Sequence, residues 1–180
     1  NTSHRYIRTY YARMYEAKFL MGAIAGAMAE NGQLAYIADY PIFGTIANIN
    51  AFALGAKMVN PRAQIYLEWS TLKDVDLGIA MDNVIKKGVT VVSGRDMVIP
   101  EDASRYFGLY HIEKEGPRNL AMPLWHWGKF YEQLIRTIMD GTWKYDDNKD
   151  ETKAINYWWG LSAEVIDVIY SQNLPIGTQK

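Results

Sequence analysis

Two side chains of this sequence have the types and the spacing of an acid–base pair. His111 and Glu113 lie two residues apart, and an imidazole next to a carboxylate can move protons near neutral pH. Such a pair needs a nucleophile to activate, and the sequence places no serine, lysine or cysteine beside it. His111 and Glu113 therefore do not by themselves indicate an active site.

The short motifs that hold phosphates or metal ions are missing from the sequence. It contains no G-x-x-x-x-G-K-[ST] loop, no G-x-G-x-x-G turn, no H-E-x-x-H helix and no cysteine. Asp146, Asn148 and Asp150 imitate the start of an EF-hand loop, but Glu151 replaces its glycine and Tyr157 replaces its final glutamate. We therefore expect a non-enzyme with no catalytic residues, no cofactor and no metal site.

Aromatic and polar residues follow the predicted strands, where α/β sheets bind their ligands. The ligand-binding candidates are Asp39, Tyr40, Trp69, Gly94, Arg95, Tyr110, His111, Trp125 and Trp127. A tryptophan or tyrosine ring can stack on a planar ligand, and a histidine can donate or accept a hydrogen bond.

Several of these candidates have a structural alternative. Asp39 precedes a predicted helix and is either a ligand residue or an N-cap or hinge residue. Trp69 either stacks on a ligand or packs at the rim of the core, and Gly94 with Arg95 forms either a ligand loop or an ordinary turn. Trp125 lies off the apolar stripe of the helix that follows, whereas Trp127 begins that stripe and is a candidate for the core as well.

Helices and strands alternate along the chain. Apolar faces with helical spacing run over residues 17–28, 46–56, 77–85 and 127–138, and strands are predicted at 34–38, 65–69, 89–93, 106–110 and 120–124. The strand 65–69 alternates apolar and polar residues, which indicates a position near a sheet edge. This order predicts an α/β fold, with three αβα layers around a mostly parallel sheet.

The remainder of the chain contains a polar break and an aromatic tail. Residues 1–143 form the α/β part of the predicted fold, and residues 144–154 form a polar loop. Residues 155–180 form a C-terminal crossing or docking segment with a short helical stripe at Val165, Ile166 and Ile169.

Composition and charge exclude several classes of protein. A net charge of -1 provides no basic surplus for binding nucleic acid. The longest apolar run, Phe19 to Ala29, is too short to cross a membrane. Residue 1 is followed by no basic and hydrophobic export signal, so we expect no signal peptide in this chain.

A series of segments resembles one known family. These are Tyr15-Glu16-Ala17, Leu20-x-Gly22, Ala25-Gly26-x-Met28, Gly32-x-Leu34-Ala35-Tyr36-Ile37-Ala38, Pro41-Ile42, Ile49-Asn50-Ala51-Phe52-x-Leu54-Gly55-Ala56 and Val59-Asn60-Pro61. They resemble the basic membrane protein family of solute-binding lipoproteins that serve nucleoside and purine ABC importers. Trp125-x-Trp127-Gly128-x-x-Tyr131, Asp140-Gly141-Thr142-Trp143 and Tyr157-Trp158-Trp159-Gly160-Leu161 resemble its purine-binding branch.

The resemblance implies a type I periplasmic-binding fold, in which two lobes close on a ligand by a hinge. It implies that this chain holds mainly the second lobe, with the first lobe largely absent. Residues 1–143 would then be a ligand-binding lobe with hinge-crossing segments and residues 155–180 a hinge-return or docking segment, with hinge returns near Leu120 and Tyr157. Many members hold ribose with an aspartate in a Gly-x-Asp-Ser pattern, but this chain has Gly108-Leu109-Tyr110-His111. A bare base, or a different small aromatic or polar solute, is therefore a more credible ligand than a nucleoside.

The same resemblance implies where the protein works and with what. Its partners would be a purine-like small molecule and an ABC permease, outside the cytoplasm, with membrane attachment only through a lipid anchor outside this chain. An uncovered cleft would also favour self-association of the fragment. The alternative is the ligand-sensing domain of a transcriptional regulator or membrane receptor with the same fold.

Overall fold

The computed structural model describes residues 9–71, 76–96, 107–141, 156–172 and 174–179. Its strands are β1 (Thr9–Ala12), β2 (Gln33–Ala38), β3 (Gln64–Trp69), β4 (Val91–Ser93), β5 (Leu109–Glu113), β6 (Gly116–Trp125), β7 (Asn156–Trp159) and β8 (Ile166–Tyr170). Its helices are α1 (Met14–Met28), α2 (Phe43–Val59), α3 (Leu77–Lys86), α4 (Trp127–Met139) and α5 (Ile176–Gln179), with a 3-10 helix at Leu161–Ala163. The polar loop assigned to 144–154 lies outside the described residues.

The chain divides into two compact units. The larger contains the described residues of 14–124 and 168–179, and the smaller contains those of 9–13 and 125–167. The division therefore falls at residues 13 and 124 within the range that the sequence assigned to one lobe. Correspondence between these units and the lobes of a binding protein stays a proposal.

A sheet in the order β3-β2-β4-β5-β6-β8 organises the larger unit. Strand β2 runs parallel to both of its neighbours, and helices α2 and α3 make the crossovers from β2 to β3 and from β3 to β4. The last five of its six residues are buried because both faces of the sheet are covered there. The α/β fold with a mostly parallel sheet is confirmed, and β3 lies at the edge as its alternation predicted.

The two faces of β2 contribute to two separate hydrophobic clusters. Leu34, Tyr36 and Ala38 lie in a cluster with residues of α1 and α2, whereas Ala35 and Ile37 lie in a cluster with residues of α3. Successive side chains of a strand point to opposite faces, so one short strand supports both layers of helices.

Two sequence-based assignments are wrong. The fourth strand runs from Leu109 to Glu113 instead of 106–110, and it pairs antiparallel with β4 and, through a hairpin, with β6. Gly116, at a φ of 114°, directly follows the two turn residues of that hairpin. The apolar stripe at 165–169 contains part of β8 instead of a helix, since Ile166, Val168 and Ile169 are β-branched.

The smaller unit has a core of aromatic rings. Strands β1 and β7 pair in parallel, and the Phe130 ring of α4 lies 4.4 Å from the Tyr10 ring and 5.2 Å from the Trp159 ring. Trp127 meets Tyr10 edge-on, with the ring centroids 5.5 Å apart. The helix is therefore held to the strand pair mainly by ring contacts.

No helix in the described ranges is long and apolar enough to cross a membrane.

Helices α1 and α2 approach so closely that only glycine fits at their contact. A Cβ atom built on Gly22 would lie 2.1 Å from the Phe52 carbonyl oxygen, and one on Gly55 would lie 2.0 Å from the Phe19 carbonyl oxygen. Both obstructing atoms are backbone atoms, so they cannot give way without separating the helices. This contact fixes α1 and α2 as one layer on the sheet.

We expect Gly22→Ala to lower the free energy of unfolding by about 1–3 kcal/mol, the cost of overpacking a core. It should do so although alanine is a better helix former than glycine by about 1 kcal/mol. The control is Gly128→Ala in α4, where a Cβ would meet no described atom within 4 Å, and which should be neutral or stabilising. Urea unfolding followed by circular dichroism measures both, and equal stability of the two variants would contradict the prediction.

Candidate ligand-binding site

The parallel strands place three chain segments at one edge of the sheet. Ala38 pairs with Trp69, and Tyr36 pairs with Ser93, so β2, β3 and β4 end side by side. Strand β5 begins at the same edge, because Leu109 pairs antiparallel with Ser93. The residues that follow these strand ends can therefore meet a common ligand.

Asp39 is attached to the neighbouring strand end and is not a helix cap. Helix α2 has Ile42 at its N-cap, which removes the capping alternative. The Asp39 carboxylate accepts a hydrogen bond from Ser70 Oγ at 2.8 Å through its Oδ1, and its carbonyl accepts one from Thr71 Oγ1. Its side chain remains 50% exposed, so the carboxylate is both fixed and accessible.

Arg95 lies next to Asp39 on a backbone that is held on both sides. Gly94 donates to the Gly108 carbonyl at 2.8 Å, and Gly108 donates back to the Arg95 carbonyl at 2.6 Å. The Arg95 guanidinium is 48% exposed, and its Nε lies 3.7 Å from Asp39 Oδ1. Gly94 is buried and its amide is already bonded, so it supports Arg95 and does not itself present backbone to a ligand.

A cavity of about 490 Å³ adjoins this pair between α3 and the start of β5. It is lined by Leu77, Gly78, Met81, Asp82, Ile85, Arg95, Phe107 and Tyr110. Its volume lies in the range of small-molecule sites, and its walls are mainly apolar and aromatic, as such sites usually are. Asp76 caps the helix that forms one wall by accepting a hydrogen bond from the Ile79 amide at 2.9 Å.

Tyr110 contributes to this cavity in a different way from the one predicted. It lies inside β5 instead of after a strand, is 1% exposed and donates from its hydroxyl to Met81 Sδ at 3.0 Å. The next residue, His111, pairs with Val91 of the central strand β4. Its Nδ1 lies 3.5 Å from Glu113 Oε1. The structure thus brings Tyr110 to the cavity but leaves His111 away from its lining.

The other predicted residues of the larger unit lie around the same edge. Tyr40 is 62% exposed directly after Asp39. Trp69 is half-buried and packs against the cluster that contains residues of α1 and α2, so part of its ring serves the core.

The two remaining predicted residues belong to the smaller unit. Trp125 ends β6, and Trp127 begins α4.

A buried ion pair supports the segment that carries Arg95. Lys18 of α1 is 1% exposed, and its Nζ lies 2.5 Å from Asp96 Oδ1 and 5.5 Å from the centre of the Tyr36 ring. Burial alone would lower the pKa of Lys18, but the attraction of Asp96, aided by Tyr36, outweighs it and raises that pKa. Lys18 is therefore a fixed charge under the strand ends.

Sequence reasoning missed Lys18, Ser70, Asp96 and Phe107. Lys18 is hidden in an apolar helical stripe, where a lysine normally points to solvent. Ser70 and Asp96 each follow a predicted strand by one to three residues, so the rule that identified Asp39 and Arg95 could have found them. Phe107 was placed inside the fourth strand, because the start of β5 was set too early.

The fold is α/β, and the cavity lies at the edge where its parallel strands end. Residues 4–100 match the family model described as Bmp, ABC transporter substrate-binding protein PnrA-like. The chain belongs to this family. Its members bind solutes and are not enzymes, which supports the expectation of a non-enzyme at the level of the family.

Two curated relatives are similar to the chain over most of its length. A purine-binding protein of Brucella abortus strain 2308 is 27% identical over 184 residues, covering 95% of this chain and 49% of the relative. A Haloferax volcanii protein named as a candidate ABC transporter glucose-binding protein is 29% identical over 166 residues, covering 87% of this chain and 40% of the relative. The chain therefore spans about half the length of these relatives or less.

Solved structures share the fold at low sequence identity. An ABC transporter solute-binding protein of Conexibacter woesei superposes with a TM-score of 0.56 at 13% identity, covering 94% of this chain and 58% of that one. A transcriptional activator of the comK gene from Bacillus halodurans gives a TM-score of 0.55 at 12% identity, covering 95% and 60%. These likenesses confirm a periplasmic-binding-protein-like lobe.

We expect Asp96→Asn to cost about 3–5 kcal/mol of unfolding free energy at pH 7, because it leaves the Lys18 charge buried without its partner. In the variant only the weaker effect of Tyr36 opposes burial, so we expect the folded-state pKa of Lys18 to fall below its unfolded value. Its deficit relative to the unchanged protein should therefore shrink as pH rises from 7 towards 10.

The matched control is Glu68→Gln, which breaks the ion pair of Glu68 with the exposed Lys87, 2.7 Å long. That change should cost about 1 kcal/mol or less and show no such trend with pH. Urea unfolding at several pH values makes the comparison. Equal costs for the two variants would show that Lys18 and Asp96 contribute no more than a surface pair.

Proposed function

We propose that this chain is part of the extracytoplasmic solute-binding component of an ABC importer, and that it binds a purine base or nucleoside reversibly. The observation that carries the ligand class is the cavity at the carboxyl edge of the sheet, with its apolar walls and the Asp39–Arg95 pair beside it. The family match supports the transport role. No covalent step is involved: binding and release perform the function.

The walls of the cavity favour a planar aromatic ligand over a sugar. Leu77, Met81, Ile85 and Phe107 offer apolar surface, and the Tyr110 hydroxyl is already bonded to Met81. A sugar carries hydroxyl groups around its whole ring and needs polar partners on many sides, whereas a purine has two apolar faces and a polar edge. The purine-binding relative supports this choice, and the candidate glucose-binding relative supplies the competing one.

The partner and location follow from the same proposal. A binding component outside the cytoplasm delivers its ligand to an ABC permease, and a lipid anchor beyond this chain would hold it at the membrane. Closure of two lobes by a hinge, with Trp125 and Trp127 as further stacking residues, remains a prediction. The regulator alternative rests on a structural likeness at 12% identity, which bears on fold alone, so the family match favours transport.

Isothermal titration calorimetry against adenine, guanine, hypoxanthine, adenosine and glucose tests the ligand class. We expect purines to bind and glucose to give no heat. Phe107→Ala should weaken purine binding by about 1–3 kcal/mol, the loss typical of one stacking ring.

The control for that variant is Tyr170→Ala, which removes a half-exposed ring of β8 that does not line the cavity. It should leave the affinity unchanged. Binding of glucose without any response to purines would refute the proposed ligand class.

A further inference from the structure

Asp39 and Arg95 form an ion pair whose closest atoms are too far apart for a normal hydrogen bond. The 3.7 Å between Arg95 Nε and Asp39 Oδ1 exceeds the length of a normal N–H···O hydrogen bond, about 2.7–3.2 Å. Both side chains are about half exposed, although Ser70 holds the Asp39 carboxylate and Thr71 and Gly108 hold the backbone carbonyls of Asp39 and Arg95. An ionised carboxylate accepts about four hydrogen bonds and a guanidinium donates up to five, so both retain capacity for a ligand.

We infer that this pair reads the polar edge of a 6-oxopurine, such as hypoxanthine or guanine, and discriminates against adenine. The inference rests on the proposed function. A 6-oxopurine carries its N1–H donor and its O6 acceptor on neighbouring ring positions. Two roughly parallel hydrogen bonds, N1–H to the Asp39 carboxylate and the Arg95 guanidinium to O6, require an acceptor and a donor side by side on the protein.

The observed arrangement provides that donor and acceptor side by side. Arg95 lines the cavity, Asp39 Oδ1 lies 3.7 Å from its Nε, and Leu77, Met81 and Phe107 supply apolar surface for the faces of the ring. Guanine adds a second donor, its 2-amino group, next to N1–H. The carboxylate can accept from both, since its described contacts use only Oδ1.

Adenine presents the opposite pattern at the same positions. Its N1 is an acceptor and would face the Asp39 carboxylate, and its 6-amino group is a donor and would face the Arg95 guanidinium. One contact would then set two acceptors against each other and the other two donors, so that polar groups of the site would have no hydrogen-bond partner. A bidentate contact distinguishes bases by about 1–3 kcal/mol, which corresponds to roughly 5- to 150-fold in affinity.

A purely structural role for the pair predicts something different. Ion pairs between half-exposed side chains contribute little to stability, so a structural pair would leave the affinities unaffected by its removal. The same argument makes the variants suitable for binding studies. Replacing either charge should leave the thermal unfolding midpoint nearly unchanged.

The test measures dissociation constants for hypoxanthine, guanine and adenine by calorimetry on the unchanged protein, Asp39→Asn, Arg95→Gln and the double variant. We expect the unchanged protein to bind both oxopurines at least about 10-fold more tightly than adenine. Either single variant should weaken oxopurine binding by about 10-fold or more. In the double variant the preference should move towards adenine, because asparagine and glutamine amides can pair with its 6-amino group and ring nitrogens.

The control variants make the same Asp→Asn and Arg→Gln changes at residues that do not line the cavity. Asp140→Asn and Arg136→Gln alter exposed residues at the end of α4 and should leave all three affinities as they are. Thermal unfolding of each variant verifies that the fold is retained.

The outcomes separate this inference from the proposed function. Purine binding that does not distinguish adenine from oxopurines, or that ignores both single variants, overturns the inference and leaves purine binding standing. Failure of all purines to bind overturns the purine proposal and this inference together. Discrimination that disappears with Asp39 or Arg95 and survives in the controls establishes the pair as the specificity determinant.

Discussion

The parallel pairing of β2 with β3 and β4 is the constraint on which the site depends. Neighbouring parallel strands end at the same edge of the sheet. The pairing of the strands alone therefore brings the three chain segments that follow them together. Strand β2 meets this demand by burying both of its faces, which requires a helix layer on each side. The glycine contact of α1 with α2 holds one of those layers close enough to do so.

Charges are placed at that edge in two layers with different roles. Lys18 and Asp96 lie in the interior, where a pair resists being broken because either partner alone would be a buried, uncompensated charge. Asp39 and Arg95 lie at the surface, where a pair is worth little to stability and can open towards a ligand at little cost. The inner pair gives the segment after β4 its position, and we propose that the outer pair serves recognition.

The sequence predicted the layers of the fold well, because each depends on local periodicity. The stripe of α1 and the buried run of β2 were identified from their spacing alone, and Asp39 and Arg95 from the rule that ligands meet strand ends. The sequence-based predictions failed where a structural feature depends on contacts with residues distant in the chain. The start of β5 was set too early, which placed Tyr110 and His111 at and after the end of a strand instead of within one. Lys18 escaped notice because its partner lies 78 residues away.

The alternation of side chains along β5 explains why Tyr110 lines the cavity and His111 does not, since Tyr110 lies on the face that α3 covers and the next residue points to the other face. In an antiparallel strand that starts at the ligand edge, the first residues lie nearest the site and later ones recede from it. Tyr110, the second residue of β5, still reaches the cavity, whereas His111 pairs deeper with Val91 and approaches Glu113. Because β5 starts at this edge, Phe107, which precedes the strand, supplies an aromatic ring to the cavity lining. The polar contribution stays with Arg95 and Asp39, on the parallel strands whose ends the sequence had already located.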